Sequence, residues 1–230
     1  MSALVASCLN VSRRFEVPQR RGPGSSVLAL DDVSADIIAG RLVVLSGPSG
    51  SGKSTLLALL AALDRATAGS VVVQGRELGG LDRAARRRIR RSTAVMVLPQ
   101  PADNLLLTGT GRENLRGVAR LRDVGEGTEA VVDEVITLLG LSRFVDGSTG
   151  AMSGGEQQRV AVACALIGAP PLVLADEPTG ALDANSAATV IEAFCAAVDH
   201  GATVVVATHD PHMIAAADDV IRLDHGRRVQ

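Results

Sequence analysis

The stretch that decides the fold is "LVVLSGPSGSGKSTLLALL", Leu42 to Leu60. Its first five residues are almost wholly apolar, which is typical of a buried parallel strand. The next eight, Gly47 to Ser54, match the phosphate-binding pattern G-x-x-x-x-G-K-[ST] at every required position. The residues that follow predict a helix over 54–63 by period and composition. Strand, glycine-rich turn and helix in this order are the context in which the pattern binds a nucleotide phosphate.

The chemistry predicted for this phosphate-binding loop (P-loop) follows from its backbone and from two side chains. Successive backbone N–H groups would hold the β-phosphate, helped by the N-terminus of the helix. Lys53 would place its ammonium between the β- and γ-phosphates, and the Ser54 hydroxyl would bind Mg²⁺. Lys53 is also the only lysine in the chain, which indicates a site that a guanidinium does not fit. The predicted nucleotide-binding residues here are Gly47, Pro48, Ser49, Gly50, Ser51, Gly52, Lys53, Ser54 and Thr55.

Polar residues at the ends of three other apolar runs complete the predicted site. "LVLADE" ends in Asp176 and Glu177, at the strand end where open α/β sheets bind ligands. Asp176 would hold Mg²⁺ through water, and Glu177 would orient or deprotonate the attacking water. His209 ends "VVVATH" and can reach the γ-phosphate and steady Glu177. Gln100, just past "AVMVLP", is the candidate for a further contact to Mg²⁺ or to the water.

The order of the predicted elements indicates the fold class. Strands alternating with helices imply an α/β fold with a mostly parallel sheet, and a mostly helical segment that interrupts this alternation predicts an inserted helical subdomain. We expect one domain over 1–230, with a nucleotide-binding core at 1–101 and 166–230 and a helical subdomain at 102–165. A Pro/Gly/Ser-rich loop is predicted over 16–27.

The composition of the chain excludes several classes of protein. The 230 residues are 47% hydrophobic but 1% aromatic, without Trp or Tyr, so the core must be aliphatic. A formal net charge of −2 argues against nucleic-acid binding. No apolar run approaches the ~20 residues of a membrane span, and a signal peptide is not expected. Three widely spaced cysteines fit a reduced, cytoplasmic setting, and no zinc site is expected since the four histidines show no ligand spacing with them.

A second motif, "MSGGEQQRV" from Met152 to Val160, makes the whole set recognisable. With the P-loop, Gln100, "LVLADEPTGALD" and "THD" in this order, the chain resembles an ABC-type ATPase, the nucleotide-binding subunit of ABC transporters. The resemblance covers about residues 11–229. It implies a P-loop NTPase (RecA-like) core with an N-terminal antiparallel β region and an inserted helical subdomain. It implies an ATPase that uses ATP and Mg²⁺ and forms a homodimer, in which each ATP lies between the P-loop of one copy and the second motif of the other.

The resemblance also implies roles for further residues. Ser153, Gly154, Gly155 and Glu156 would bind the γ-phosphate held by the partner copy. Asp183 matches a dimer-contact loop, and Phe15 falls where an aromatic ring stacks on adenine, although a core position for Phe15 stays open. From the residues alone, Ser153 also fits an ordinary helix N-cap, with Gln157 one position too late for a capping box.

Fewer residues indicate the branch of the family. "DEPTGALD" and "GRENL" are more similar to the lipoprotein-releasing, macrolide-efflux and cell-division ATPases. This predicts a subunit that powers an exporter-type complex, attached to the inner face of the cell membrane through a separate permease chain. The alternative is an ATP-driven regulatory module that signals and transports nothing. Pro99 and Pro101 depart from the family pattern and stiffen the Gln100 loop. The arginine-rich segment 83–91 predicts a solvated helix face, or else a contact with anionic lipid.

Overall fold

A computed structural model describes residues 3–17 and 25–229. The described strands, in chain order, are β1 (Leu4–Val17), β2 (Ser25–Ile38), β3 (Leu42–Ser46), β4 (Ala68–Val73), β5 (Arg76–Glu77), β6 (Ala94–Val97), β7 (Leu172–Asp176), β8 (Thr203–Ala207), β9 (Asp219–Asp224) and β10 (Arg227–Val229). The helices are α1 (Lys53–Leu60), α2 (Arg83–Ser92), α3 (Gly111–Leu121), α4 (Thr128–Leu138), α5 (Gly154–Leu166), α6 (Ala184–Asp199) and α7 (Pro211–Ala216), with short 3-10 helices at Pro101–Asn104 and Thr149–Ala151. None of the helices described is long and apolar enough to cross a bilayer.

The strands form two sheets, which confirms the predicted fold class. A four-stranded antiparallel sheet has the order β2-β1-β4-β5, and a six-stranded sheet has the order β10-β9-β3-β8-β7-β6. All neighbours in the larger sheet are parallel except β10 and β9. The central strands are buried on both faces, which explains their continuous apolar sequence.

The register of the parallel sheet positions the site. Leu45 of β3 and Asp176 of β7 both pair with Ala207 of β8, so the three strands end level with one another. The residues that follow each of these strands therefore emerge at one edge. This alignment explains how three distant segments of sequence supply one site.

Two aliphatic clusters hold the sheet in place, one on each face. One joins the sheet to α3, α4, α5 and α6, and the other joins it to α1 and the antiparallel sheet. Phe194 is fully buried in the first cluster. Burial of each Leu, Ile or Val side chain contributes roughly 1.5–3 kcal/mol relative to exposure. The helices of the segment 102–165 thus share a core with the sheet, and the division into subdomains stays a prediction.

One sequence-based expectation about the elements is wrong in detail. The predicted loop at 16–27 is shortened from both sides, because β1 continues to Val17 and β2 begins at Ser25 as its partner; residues 18–24 lie outside the described residues. The mostly helical stretch at 112–139 consists of two helices, α3 and α4. Between them Gly125 and Gly127 take positive φ angles of 75° and 93°, which a helix interior does not accept.

The arginines of α2 are not simply a solvated face. Arg86 is buried and donates to the carbonyl oxygens of Leu78, at 3.3 Å, and of Asp64. Arg90 donates to the Ala62 carbonyl at 2.7 Å. Both Ala62 and Asp64 follow the end of α1, so these arginines fix the C-terminal end of the P-loop helix.

Candidate functional site

The P-loop joins β3 to α1 at the carboxyl edge of the sheet, as predicted. Two of its glycines leave no room for a side chain. A Cβ at Gly47, with φ 149°, would lie 2.0 Å from the Leu223 carbonyl oxygen, and one at Gly52, with φ 101°, would lie 2.6 Å from the Ala29 carbonyl oxygen. The loop is thus pressed against β9 and β2 by backbone contacts that only glycine permits.

Two polar side chains of the loop favour a phosphate ligand. Lys53 Nζ donates to the carbonyl oxygens of Gly47 at 2.7 Å and Pro48 at 3.0 Å, which holds the ammonium over the loop. Ser51 is 2% exposed and, within the described residues, its hydroxyl has no hydrogen-bond partner. Gly52, at the N-cap of α1, offers no side-chain cap, and the first turn holds no acidic residue. The N–H groups of this helix end remain available to an anion.

A cavity of about 700 Å³ lies over the loop. Its volume falls in the range of small-molecule and cofactor sites. The lining residues are Ala29, Gly47, Pro48, Ser49, Gly50, Ser51, Gly52, Lys53, Ser54, Thr55, Asp176, Glu177, Gly180 and His209. The structure therefore brings all nine predicted P-loop residues together with the two acids and the histidine.

Asp176 is a buried carboxyl facing the P-loop side of the cavity. Burial raises its pKa above the ordinary value and Glu177 adds to the rise, while the hydroxyl of Ser54 and the ammonium of Lys53 oppose it. A carboxyl that is costly to ionise alone gains most from a bound cation. The hydroxyl and carboxylate oxygens of Ser54 and Asp176 are the ligand types that Mg²⁺ prefers, so these residues fit the predicted metal site.

Glu177 is held at both carboxylate oxygens by residues that follow β8. Its Oε2 accepts a hydrogen bond from Thr208 Oγ1 at 3.0 Å, and its Oε1 lies 3.0 Å from Nδ1 of His209. Its backbone N–H donates to the Ala207 carbonyl at 2.8 Å, and its φ is 47°, a left-handed conformation that few residues other than glycine adopt. His209 itself is 80% exposed at its side chain. This arrangement fixes the carboxylate at the cavity wall.

The sequence reasoning missed Thr208. It also missed a hydrogen-bonded pair formed by Thr179 and Asp210. Thr179 Oγ1 donates to Asp210 Oδ2 at 2.8 Å, and Asp210 also caps α7 by accepting from the His212 N–H at 2.9 Å. Burial acts to raise the pKa of Asp210, but the hydrogen bonds from Thr179 and from the first turn of α7 lower it overall. The pair ties the turn after Glu177 to the turn after His209. The signal was present as Thr and Asp on either side of the histidine in "THD".

Gln100 and Phe15 are not among the residues that line the cavity. Gln100 is exposed and precedes the 3-10 helix that begins at Pro101, where its carbonyl accepts from the Asn104 side chain at 3.0 Å. Phe15 is 37% exposed on β1, and the Arg13 guanidinium lies 4.1 Å from the centre of its ring. The core position considered for Phe15 is therefore wrong, while the adenine-stacking role stays a prediction.

Ser153, Gly154 and Gly155, called here the SGG corner, also lie outside the cavity lining, and they begin α5. The expectation that this helix lacks a clean capping box is wrong, because Glu156 rather than Gln157 closes it. Ser153 Oγ accepts from the Glu156 N–H at 3.3 Å, and Glu156 Oε2 accepts from the N–H and the hydroxyl of Ser153, both at 2.8 Å. The backbone hydrogen bond, followed by that of the hydroxyl, lowers the pKa of Glu156. Sequence reasoning missed the pattern S-x-x-E at 153–156.

The loop that leads from Glu177 to Asp183 runs beside the SGG corner. Asp183 caps α6 by accepting from the N–H groups of Asn185 and Ser186, and the bond from Ser186 chiefly lowers its pKa. A Cβ added at Gly155 would lie 3.3 Å from Cδ2 of Leu182, the residue before Asp183. The corner and the loop that starts at Glu177 are therefore in contact within one chain.

Comparison with known proteins gives one consistent family. A family model described as "ABC transporter" matches residues 30–180. Two curated relatives are both called "Macrolide export ATP-binding/permease protein MacB". The one from Salmonella paratyphi A is 37% identical over 235 residues, or 100% of this chain and 34% of the relative. The one from Escherichia coli K12 is 37% identical over 205 residues, or 89% of this chain and 31% of the relative. The chain thus spans about a third of the length of these relatives.

Solved structures agree with the family match. The "dimeric structure of a post-hydrolysis state of the ATP-binding cassette MJ0796 bound to ADP and Pi" has a TM-score of 0.88 at 32% identity, covering 98% of this chain and 97% of that one. Another, cbiO1 from Clostridium perfringens, "part of the ABC transporter complex cbiONQ", has a TM-score of 0.82 at 22% identity, covering 99% of this chain and 87% of that one. This second likeness shows the fold alone.

Proposed function

This chain belongs to the ABC transporter family, and we propose that it binds and hydrolyses ATP as a head-to-tail dimer that powers an exporter-type membrane complex. One observation carries the proposal: the residues predicted to bind phosphate are divided between two places. The P-loop lines the 700 Å³ cavity, whereas the SGG corner lies outside that lining. A second copy can bring its own corner to the cavity, and the solved relative MJ0796 is dimeric.

The residues that line the cavity have separable tasks in this proposal. Lys53 and the P-loop N–H groups would hold the phosphates, and Ser54 and Asp176 would hold Mg²⁺. The metal would neutralise charge on the phosphate oxygens. Glu177 would orient and deprotonate the attacking water, because Thr208 and His209 fix its two oxygens. For Gln100 to contact the metal or the water, its loop would have to move toward the cavity.

The membrane side of the proposal is supported by the relatives. Their names join an ATP-binding part to a permease part, and this chain corresponds in length to about a third of them. We therefore propose that a permease segment or chain attaches this ATPase to the inner face of the cell membrane. Co-purification with a multi-span permease would support transport, and co-purification with a regulator of an extracytoplasmic hydrolase would support the signalling alternative.

Glu177→Gln is the experiment that tests the ATP-dependent dimer. The amide keeps the shape of the carboxylate but is no base, so ATP should persist and the dimer should accumulate. Light scattering after size-exclusion chromatography, with Mg²⁺ and ATP, should show twice the monomer mass. Glu192→Gln, an exposed position on α6, is the charge-matched control and should behave as the parent. If Glu177→Gln stays monomeric at saturating ATP, the proposed function is wrong.

A further inference from the structure

Gln158, on the second turn of α5, carries a buried amide without a partner. The residue is 3% exposed, and among the described residues neither its Oε1 nor its Nε2 makes a hydrogen bond. A buried polar group left unsatisfied is costly, and such groups are rare in native structures. The adjacent Gln157 is different, because its Nε2 donates to the carbonyl oxygens of Thr149 at 3.0 Å and Met152 at 3.4 Å.

The position of Gln158 on α5 indicates which segment of the chain its amide faces. It lies three residues after Gly155, and residues at this spacing share one helix face. Gly155 faces Leu182, in the loop between Glu177 and Asp183. That loop carries several backbone N–H and C=O groups and turns tightly, with hydrogen bonds from Gly180 N to Glu177 O at 3.2 Å and from Leu182 N to Thr179 O at 3.0 Å.

We propose that Gln158 is a positioning residue whose amide gains hydrogen bonds from the 177–183 loop only when a second copy docks on the SGG corner. This inference rests on the proposed ATP-dependent dimer. In the single chain the unpaired amide raises the free energy of the undocked arrangement. Docking that shifts the loop relieves this cost and so favours the arrangement in which the corner and Glu177 act together.

Gln158→Met tests the inference, because methionine keeps the length of the side chain and removes both polar atoms. Replacing an unsatisfied amide by an apolar group should leave the urea midpoint unchanged or raise it. The matched variant Gln157→Met should lower the midpoint, since two carbonyl oxygens lose their donor. Gln158→Leu repeats the test with a smaller side chain in case methionine packs poorly.

Two further readouts separate positioning from a general packing role. In the Glu177→Gln background, Gln158→Met should weaken ATP-dependent dimerisation about tenfold, the order expected for a lost hydrogen bond at each of two sites. Binding of a fluorescent ATP analogue to the single chain should be unchanged, because Gln158 does not line the cavity.

Each outcome decides the matter. A urea midpoint that both Gln158→Met and Gln158→Leu lower, or a Gln158→Met dimer as tight as that of the Glu177→Gln parent, overturns this inference and leaves the proposed function standing. Failure of the parent itself to dimerise overturns the proposed function and this inference with it. An unchanged or raised midpoint together with a weaker dimer supports it.

Discussion

The capping box at the start of α5 has a counterpart at the start of α3, and comparing the two permits a sharp prediction. Thr110 caps α3 as Ser153 caps α5: Thr110 Oγ1 accepts from the Glu113 N–H at 3.1 Å, and the Thr110 N–H donates to Glu113 Oε2 at 2.8 Å. Loss of a Ser or Thr N-cap costs about 1 kcal/mol. In a chain of this size that corresponds to a fall of roughly 2–4 °C in Tm. Ser153→Ala and Thr110→Ala should therefore destabilise the protein alike.

Dimerisation should separate the two variants. If the Ser153 hydroxyl binds the γ-phosphate of the partner copy, its loss removes a hydrogen bond to a charged group at both sites. At about 1.5 kcal/mol for each, the dimer would lose about 3 kcal/mol, or roughly a hundredfold in Kd. Thr110→Ala should leave the Kd unchanged. Sedimentation equilibrium with ATP in the Glu177→Gln background measures both values.

The reasoning is refuted by either of two results. Equal weakening of the dimer by both substitutions would mean that the capping box acts only through stability. An unchanged Kd for Ser153→Ala would mean that the hydroxyl is a cap and nothing more.

Further predictions concern the lysine, the cysteines and Glu156, the acid of the α5 capping box. Lys53→Ala should weaken binding of a fluorescent ATP analogue tenfold or more, by about 1.5–3 kcal/mol, and unaltered affinity would remove Lys53 from the site. Burial raises the pKa of Cys8 and of Cys164 to about 12, so iodoacetamide at pH 8 should label only the half-buried Cys195 until urea is added; mass spectrometry that finds early label on either of the other two contradicts their burial. The pKa of Glu156 is lower in the folded protein than in the unfolded chain, so its stabilisation is present above the ordinary glutamate pKa and is lost as the pH falls through the folded value. Glu156→Gln should therefore reduce the difference in urea midpoint between pH 7 and pH 3, and an unchanged difference argues against the capping interaction.

The parts of the fold that could be predicted are those in which local sequence and packing agree. The apolar strand at Leu42, the glycine-rich turn and the helix after Lys53 each point to the same unit, and buried parallel strands carry a continuous apolar signal. The strand-end positions of Asp176 and His209 followed from the same signal. The register of β3, β8 and β7 then places Asp176 and His209 at one edge of the sheet, as expected for parallel strands that end level.

The parts that could not be predicted depend on pairing over long sequence distances. The strand partners of Val17 and Ser25 are set by the antiparallel hairpin, and strand formation depends on such context more than on composition. Arg86 donates to the carbonyl oxygens of Asp64, just after α1, and of Leu78, just after β5, which no helical pattern within α2 reveals. The role of Thr208 required knowing that β8 ends beside Glu177. The capping role of Glu156, by contrast, is local, and the pattern S-x-x-E at 153–156 is enough to indicate it.

The solitary lysine has a practical consequence. Because Lys53 is the only lysine, reagents specific for primary amines find one side-chain target in these 230 residues. That target lies within 3.0 Å of two carbonyl oxygens in the P-loop. Trinitrophenylation followed at the peptide that carries Lys53 would thus report loop occupancy, since any molecule that shields the ammonium would slow labelling of that peptide in proportion to the fraction bound.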